Sequence, residues 1–427
     1  MRKKVLIAAG ATAAIALTMA GCSSSSDTST GGSGSAANSG GASSGSGADI
    51  NVGVITSLTG GYASGFTTVE KGVKARLDLE NANGGVDGHK LTYTMADDAS
   101  TASGALSGAQ KLIKQDKVYA ILDASASFYG AAPAAKSAAT PVLGLSFDGG
   151  DAWQDPQGYP TFFDAYGYGD FSLAATTFGT FFKAQGCAKV GAIGNTGPSS
   201  GRAAQSAVIS AQKAGLQAGY LDSKLAPGTT DVGPQVIGLK TSGTDCLYMP
   251  VTPSLGFAVV AGLKQAGVTM KAVVLGTGYG DIVRDKAAVQ AGQGVDFMTI
   301  WSPVEADTDA TKQFQNALSE YAGVTGVPTT GEYYGWTIAD LFVYGLKQAG
   351  GGAPQAEFVS KLRASDGWDA GGLFTSPTTF ADPDPVAAAM GPGNCVNMVK
   401  LSGSQFQPIA GANPVCGDII EGTTIKQ

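Results

Sequence analysis

Ile50-Asn51-Val52-Gly53-Val54-Ile55-Thr56-Ser57-Leu58-Thr59-Gly60-Gly61-Tyr62 opens a pattern that the rest of the chain repeats. Ile50 to Ile55 alternates as a strand, and Ser57 to Tyr62 is a glycine-rich turn. Val69 to Asn81 follows as a helix, with Val73, Leu77 and Glu80 spaced by three or four. Lys90 to Met95 reads as the next strand and Ala102 to Gln115 as the next helix. Tyr119 to Leu122 (strand), Gly130 to Ala139 (helix) and Pro141 to Leu145 (strand) continue the series. Strands and helices alternating at this interval build βαβ units and a parallel sheet.

A second series begins beyond the aromatic stretch Phe162 to Tyr168. Its strands are predicted at Lys189 to Ile193, Gln217 to Leu221, Cys246 to Met249, Ala272 to Leu275 and Phe297 to Trp301. Its helices are Gly201 to Ala214, Val232 to Thr241, Leu255 to Ala266 and Asp309 to Tyr321, and a long one runs from Glu332 to Gln348. Two series predict an α/β protein of two similarly wound lobes. Ligands of open parallel sheets bind beyond the carboxyl ends of the strands. The loops to watch are therefore 56–66, 123–129, 146–153, 194–201, 250–254 and 276–281.

Ahead of this pattern lies a cationic start, Arg2-Lys3-Lys4, an uncharged apolar run from Val5 to Met19, and then Ala20-Gly21-Cys22. That is the architecture of a secretory signal. With cysteine at the cleavage position it resembles a bacterial lipobox, which implies a lipid on Cys22 and a membrane-tethered protein on the extracytoplasmic face. Ser23 to Ala48 is nearly all Ser, Gly, Ala and Thr and should behave as a flexible tether reaching roughly 25–30 Å.

Removing the three signal cations leaves 24 Lys and Arg against 34 Asp and Glu, a net charge of −10. Such acidity argues against nucleic acid as a partner. Four cysteines besides Cys22 form an even set in an exported chain, which reads as disulfides. Three pairings are possible. Cys187 and Cys246 each precede an apolar run, and Cys395 and Cys416 bracket a hairpin around Ser402-Gly403-Ser404, so 187–246 and 395–416 are expected. No CxxC spacing occurs, His89 is the one histidine, and neither a metal nor a cofactor is expected.

Gly197-Pro198-Ser199-Ser200-Gly201 matches the G-x-S-x-G of a nucleophile elbow, between a strand and a helix. A hydrolase reading lacks its base, because His89 precedes Ser199 and sits in a surface turn. Gly276-Thr277-Gly278-Tyr279-Gly280 is not a dinucleotide fingerprint, and Asp97-Asp98 reads as a structural pair at a strand end. Hydroxyls and aromatics gather instead in the first-series loops: Tyr62, Phe66, Ser125, Ser127, Phe147 and Asp148. Such a mixture holds a small polar ligand.

Ile50 to Gly60, Lys71-Gly72 through Asn81, Asn83 to Leu91 and Asp97-Asp98-Ala99 together resemble the substrate-binding proteins of branched-chain amino-acid ABC transporters. The likeness runs over nearly all of 49–427. It implies a type I periplasmic-binding fold, two Rossmann-like lobes with parallel sheets joined by a three-crossover hinge. The implied organisation is a signal at 1–21, a lipidated cysteine and linker at 22–48, and lobe 1 at 49–165 and 303–373. Lobe 2 would take 166–302 and 374–427. Crossovers are expected near Asp164–Tyr166, Ser302–Pro303 and Gly372–Phe374. The resemblance further implies a monomer with no enzymatic activity, which captures an amino acid, amide or related acid and delivers it to an ABC permease. A ligand sensor on the same fold is the alternative. Ser125, Ser127 and the Ser146–Gly150 loop, with Phe147, Asp148 and Gly149, match the family's carboxylate-holding positions. Asp148 is the candidate to receive an amino group. Tyr168, Ser199, Thr252 and Tyr279 are expected to face them from the second lobe.

Overall fold

The computed structural model of the chain describes residues 47–167, 170–381 and 389–426. The signal, Cys22, most of the tether and Tyr168 lie outside the described residues, and so do the expectations placed on them.

The first lobe is built on β1 (Ile50–Thr56), α1 (Val69–Ala82), β2 (Leu91–Asp97), α2 (Ala102–Lys114), β3 (Ile121–Ala124), α3 (Ala132–Ser137), β4 (Val142–Gly144) and β5 (Phe162–Asp164). Its sheet runs β2-β1-β3-β4-β5, all parallel. Val52, Val54 and Ile55 are fully buried, because β1 is covered on both faces. The strand order reverses between β1 and β3, which opens a crevice at their carboxyl ends.

The second lobe follows with α4 (Thr177–Ala184), β6 (Lys189–Asn195), α5 (Pro198–Lys213), β7 (Gln217–Leu225), α6 (Gly233–Ser242), β8 (Cys246–Met249), α7 (Pro253–Gln265), β9 (Ala272–Leu275), α8 (Lys286–Ala291) and β10 (Asp296–Thr299). The chain then returns to the first lobe with α9 (Asp309–Ala322), α10 (Thr330–Ala349) and α11 (Gln355–Arg363); α9 and α10 pack on α1. It ends in the second sheet with β11 (Cys395–Ser402), β12 (Gln405–Pro408) and β13 (Val415–Cys416). That sheet is ordered β12-β11-β10-β9-β8-β6-β7, with β11 antiparallel to β10, β12 and β13. Disulfides join Cys187 to Cys246 and Cys395 to Cys416.

The predicted series is present, with shifted ends. Three helices (α4, α8 and α11) and two short strands (β5 and β13) escaped it. Phe162-Phe163-Asp164, taken with the aromatic stretch between lobes, is an edge strand of the first sheet. The α4 sequence Thr-Phe-Gly-Thr-Phe-Phe is poor in helix formers and is helical because its phenylalanines are buried. The predicted strand to Trp301 stops at Thr299, and Trp301 instead bridges Phe374.

Three connections pass between the lobes side by side. Tyr166 from the first lies against Trp301 from the second and Phe374 from the third, with ring centroids 6.3–6.5 Å apart. The Trp301 indole is fixed by donating to Thr337 Oγ1 at 2.7 Å. The hinge is therefore an aromatic stack.

Candidate functional site

Between the lobes lies a cavity of about 180 Å³. Its first-lobe wall is Tyr62, Phe66, Phe147 and, from α10, Tyr333 and Tyr334. The second-lobe wall includes Phe178, Ser199, Ser206, Tyr248, Thr252 and Met298, and the hinge adds Tyr166 and Trp301. Phe66, Phe147 and Tyr334 form a cluster with centroids 4.5–5.7 Å apart. No described residue with a charged side chain lines the cavity.

The lobes touch across the rim. Ser199 donates its hydroxyl to the Phe147 carbonyl, and the Ser64 and Ser254 hydroxyls are 2.9 Å apart. This is a closed arrangement, and it positions Ser199. The Gly197–Gly201 turn is the N-terminus of α5, and the Ser199 hydroxyl closes the cleft instead of facing a base. His89 is held at the other end of the lobe, its Nδ1 2.7 Å from the Ala48 carbonyl.

Six of the expected contacts line the cavity: Tyr62, Phe66, Phe147, Ser199, Thr252 and Tyr279. Ser125, Ser127, Asp148 and Gly149 do not, and each has a structural reason. The Ser125 hydroxyl donates to Asp98 and accepts from the Ser127 N–H at 2.9 Å, which folds the loop beneath the wall. Asp148 turns inward, taking the Trp153 Nε1–H at 2.7 Å and the Gly150 N–H at 3.1 Å. Burial lifts its carboxyl to about 6 despite those two donors. Asp148 is thus already engaged and does not face the cavity. Gly149 has φ +59°, and a Cβ there would stand 2.6 Å from Pro198, so it serves the lobe contact.

Tyr279 contributes its ring while its hydroxyl is occupied, donating to Glu305 Oε2 at 2.5 Å and accepting from the Val304 N–H at 3.1 Å. Asp97 holds the first loop, accepting from the N–H groups of Leu58 (3.0 Å) and Thr59 (3.2 Å) and the Thr59 hydroxyl (2.7 Å). The pair Asp97-Asp98 is structural. Among the described residues no group of three or more His, Cys, Asp or Glu is placed to hold a metal, and no helix is long and apolar enough to cross a membrane.

Loop reasoning missed Tyr166, Phe178, Tyr248, Met298, Trp301, Tyr333 and Tyr334. They lie on strands, helices and crossovers, where an aromatic residue reads as core. The one available signal was the aromatic density of Glu332 to Gln348.

A family model described as periplasmic binding protein matches residues 49–403. The chain belongs to the periplasmic binding protein family. Members of this family bind solutes and are not enzymes. Over 237 residues, 53% of the chain, it is 26% identical to Leu/Ile/Val-binding protein homolog 3 of Brucella melitensis, of which it spans 61%. Its fold is similar to that of a solute-binding protein of an ABC transporter from R. palustris in complex with benzoate (TM-score 0.72, 16% identity, 89% of this chain and 100% of that one). It is also similar to a branched-chain amino-acid transporter substrate-binding protein from Streptococcus pneumoniae in complex with isoleucine (TM-score 0.65, 17% identity, 87% and 99%). A fatty acid ABC transporter substrate-binding protein from Thermomonospora curvata shares the fold as well (TM-score 0.67, 17% identity, 86% and 93%). These likenesses establish two α/β lobes with parallel sheets, the type I periplasmic-binding fold.

Proposed function

We propose that this periplasmic binding protein captures a small, predominantly apolar solute by lobe closure and delivers it to an ABC permease, held beside the membrane by a lipid on Cys22. The observation that carries the proposal is the closed interlobe cavity walled by aromatic rings. The solutes named for the structural relatives, benzoate, isoleucine and fatty acid, each join an apolar body to a carboxylate, and isoleucine adds an ammonium. The walls here favour that apolar body over the small polar metabolite that the loops suggested. A bound amino acid would bring an ammonium and a carboxylate to walls on which no described residue offers a charge, and desolvating unpaired charges is costly.

Closure and binding share residues. Tyr166 and Trp301 belong to both the hinge stack and the cavity wall. A solute that touches them in the closed state gains contacts the open state lacks, which is what shifts the equilibrium.

The test is a thermal-shift panel on the full chain with L-leucine, urea, benzamide, benzoate and octanoate. A true ligand at 100 times its Kd adds ~2.7 kcal/mol of stability. A shift with an apolar member and none with urea is expected. Silence across the panel contradicts the reading.

A further inference from the structure

The lobes meet at a second place, between the loop that follows β9 and the start of α10. Gly278 donates its N–H to Thr330 Oγ1 at 3.1 Å. A Cβ on Gly280, which has φ +80°, would stand 2.0 Å from the Pro328 carbonyl oxygen, so the two backbones touch. Arg284 reaches across to Glu332, its Nη2 lying 3.0 Å from Oε2 and 3.2 Å from Oε1. The Glu332 side chain is fully buried and also accepts the Thr329 N–H at 2.7 Å, closing the capping box of α10. Asp281 lies in the same loop as Gly280 and Arg284. Its carboxyl draws on the Thr330 N–H, while its Oδ2 is sealed from solvent and has no hydrogen-bond partner.

Three charged groups thus share one closing interface: Asp281 and Arg284 from the second lobe, and Glu332 from the first. The guanidinium is engaged by Glu332, and Asp281 faces that second carboxylate with one oxygen unpaired. A carboxylate so placed is costly, and a proton relieves the cost. The groups that face Asp281 are Arg284 on its own loop and Glu332 and Tyr334 on α10. Asp285, next along, instead caps α8 by accepting from the Ala287 and Ala288 N–H groups. Burial lifts Asp281 to about 7, with Glu332 adding to it against Arg284 and the Thr330 N–H. When the lobes part, α10 withdraws and takes Glu332 with it. Asp281 is then solvated beside Arg284, in the ordinary carboxylate range near ~3.9 or below.

We propose that closing the lobes takes up a proton at Asp281, so that solute is held more tightly as pH falls through neutrality. The proposal rests on the lobe closure of the reading above and not on the class of solute. Between about pH 4 and 7 the closed form binds a proton that the open form lacks, so lowering the pH across that window favours closure.

Calorimetric titration of the full chain with benzoate and with octanoate, between pH 6 and 8.5, tests the linkage. Both probes stay ionised across this range, so the proton belongs to the protein. For a probe that binds, affinity should rise about tenfold from pH 8.5 to pH 6, with about half a proton taken up at pH 7. Asp281→Asn keeps the shape of the protonated acid. It should flatten the profile and bind at pH 8.5 at least as tightly as the unchanged protein, whereas loss of a merely structural carboxylate would weaken binding at every pH. A flat profile in the unchanged protein, or a slope that survives Asp281→Asn, overturns the proposal. Arg284→Gln, at an exposed side chain, removes the cation that opposes protonation and should move the rise to higher pH. It carries the test should Asp281→Asn fail to fold, and a profile left in place then overturns the proposal. If neither probe binds, the solute class proposed above fails and the linkage is measured without solute. Spin labels at Ser137→Cys and Ile237→Cys, in a chain carrying Cys22→Ser, should show the closed population growing from pH 8.5 to pH 6, and not in Asp281→Asn. A population that does not respond to pH overturns the proposal there too.

Discussion

At the residue scale, buried carboxylates set how stability responds to pH. Asp148 and Asp296 are 1% and 0% exposed, and burial raises each to about 6, for Asp296 despite Lys400 Nζ 3.5 Å away. An unfolded Asp titrates near ~3.9. Between about pH 4 and 6 the folded state therefore binds more protons than the unfolded one, and stability falls as pH rises through that window. The thermal midpoint should be higher at pH 5 than at pH 7.5, and Asp148→Asn should narrow the gap. A midpoint that drops from pH 7.5 to pH 5 contradicts this assignment. Asp97 has the opposite sign. Burial pushes it up, but the Thr59 hydroxyl and the Ala99, Thr59 and Leu58 N–H groups outweigh that and hold it below the usual carboxylate range. Its contribution is present above about pH 4 and lost as pH falls through its lowered pKa. Asp97→Ala frees the 56–62 loop and should cost about 1–2 kcal/mol, read by urea unfolding at pH 7.

At the element scale, the first lobe depends on the close approach of α1 and α10. A Cβ on Gly72 would lie 2.1 Å from the Glu332 carbonyl oxygen, and one on Gly335 would lie 1.9 Å from that of Val69. Gly72→Ala and Gly335→Ala should each destabilise by about 1–3 kcal/mol through overpacking, measurable by chemical unfolding. A neutral result at both would mean the helices can separate freely. Elements of this kind were legible in the sequence wherever apolar period and glycine punctuation agreed, as from Ile50 through Asn81 and from Cys246 through Leu275. They were illegible where tertiary burial overrode propensity, as in α4, or where a strand was three residues long, as in β5. The cavity was half legible for a related reason. Loop residues at strand ends stood out, so Tyr62, Phe66, Phe147, Ser199, Thr252 and Tyr279 were found. Tyr248, Met298 and Tyr334 sit in regular elements, and periodicity marks a residue as buried without distinguishing core from cavity wall. Asp148 misled because a polar residue in a binding loop can as easily face inward, and only Trp153 decides which.

At the scale of the whole molecule, the two lobes, the aromatic hinge and the rim hydroxyls form one device. Trp301 ties the second crossover to Tyr166, to Phe374 and to the cavity, so Trp301→Leu should weaken solute binding while leaving each lobe folded, with far-ultraviolet circular dichroism unchanged. Ser199→Ala removes the hydroxyl that bonds to the Phe147 carbonyl and should lower affinity severalfold through the closed state alone. The central claim is that closure is driven by a small, predominantly apolar solute. Its most direct test is the distance between spin labels at Ser137→Cys on the first lobe and Ile237→Cys on the second, both exposed positions. Saturating benzoate or octanoate should draw a broad distance distribution into a single narrow population, and urea should leave it broad. Narrowing by urea alone, or no response to any of the three, would contradict the account.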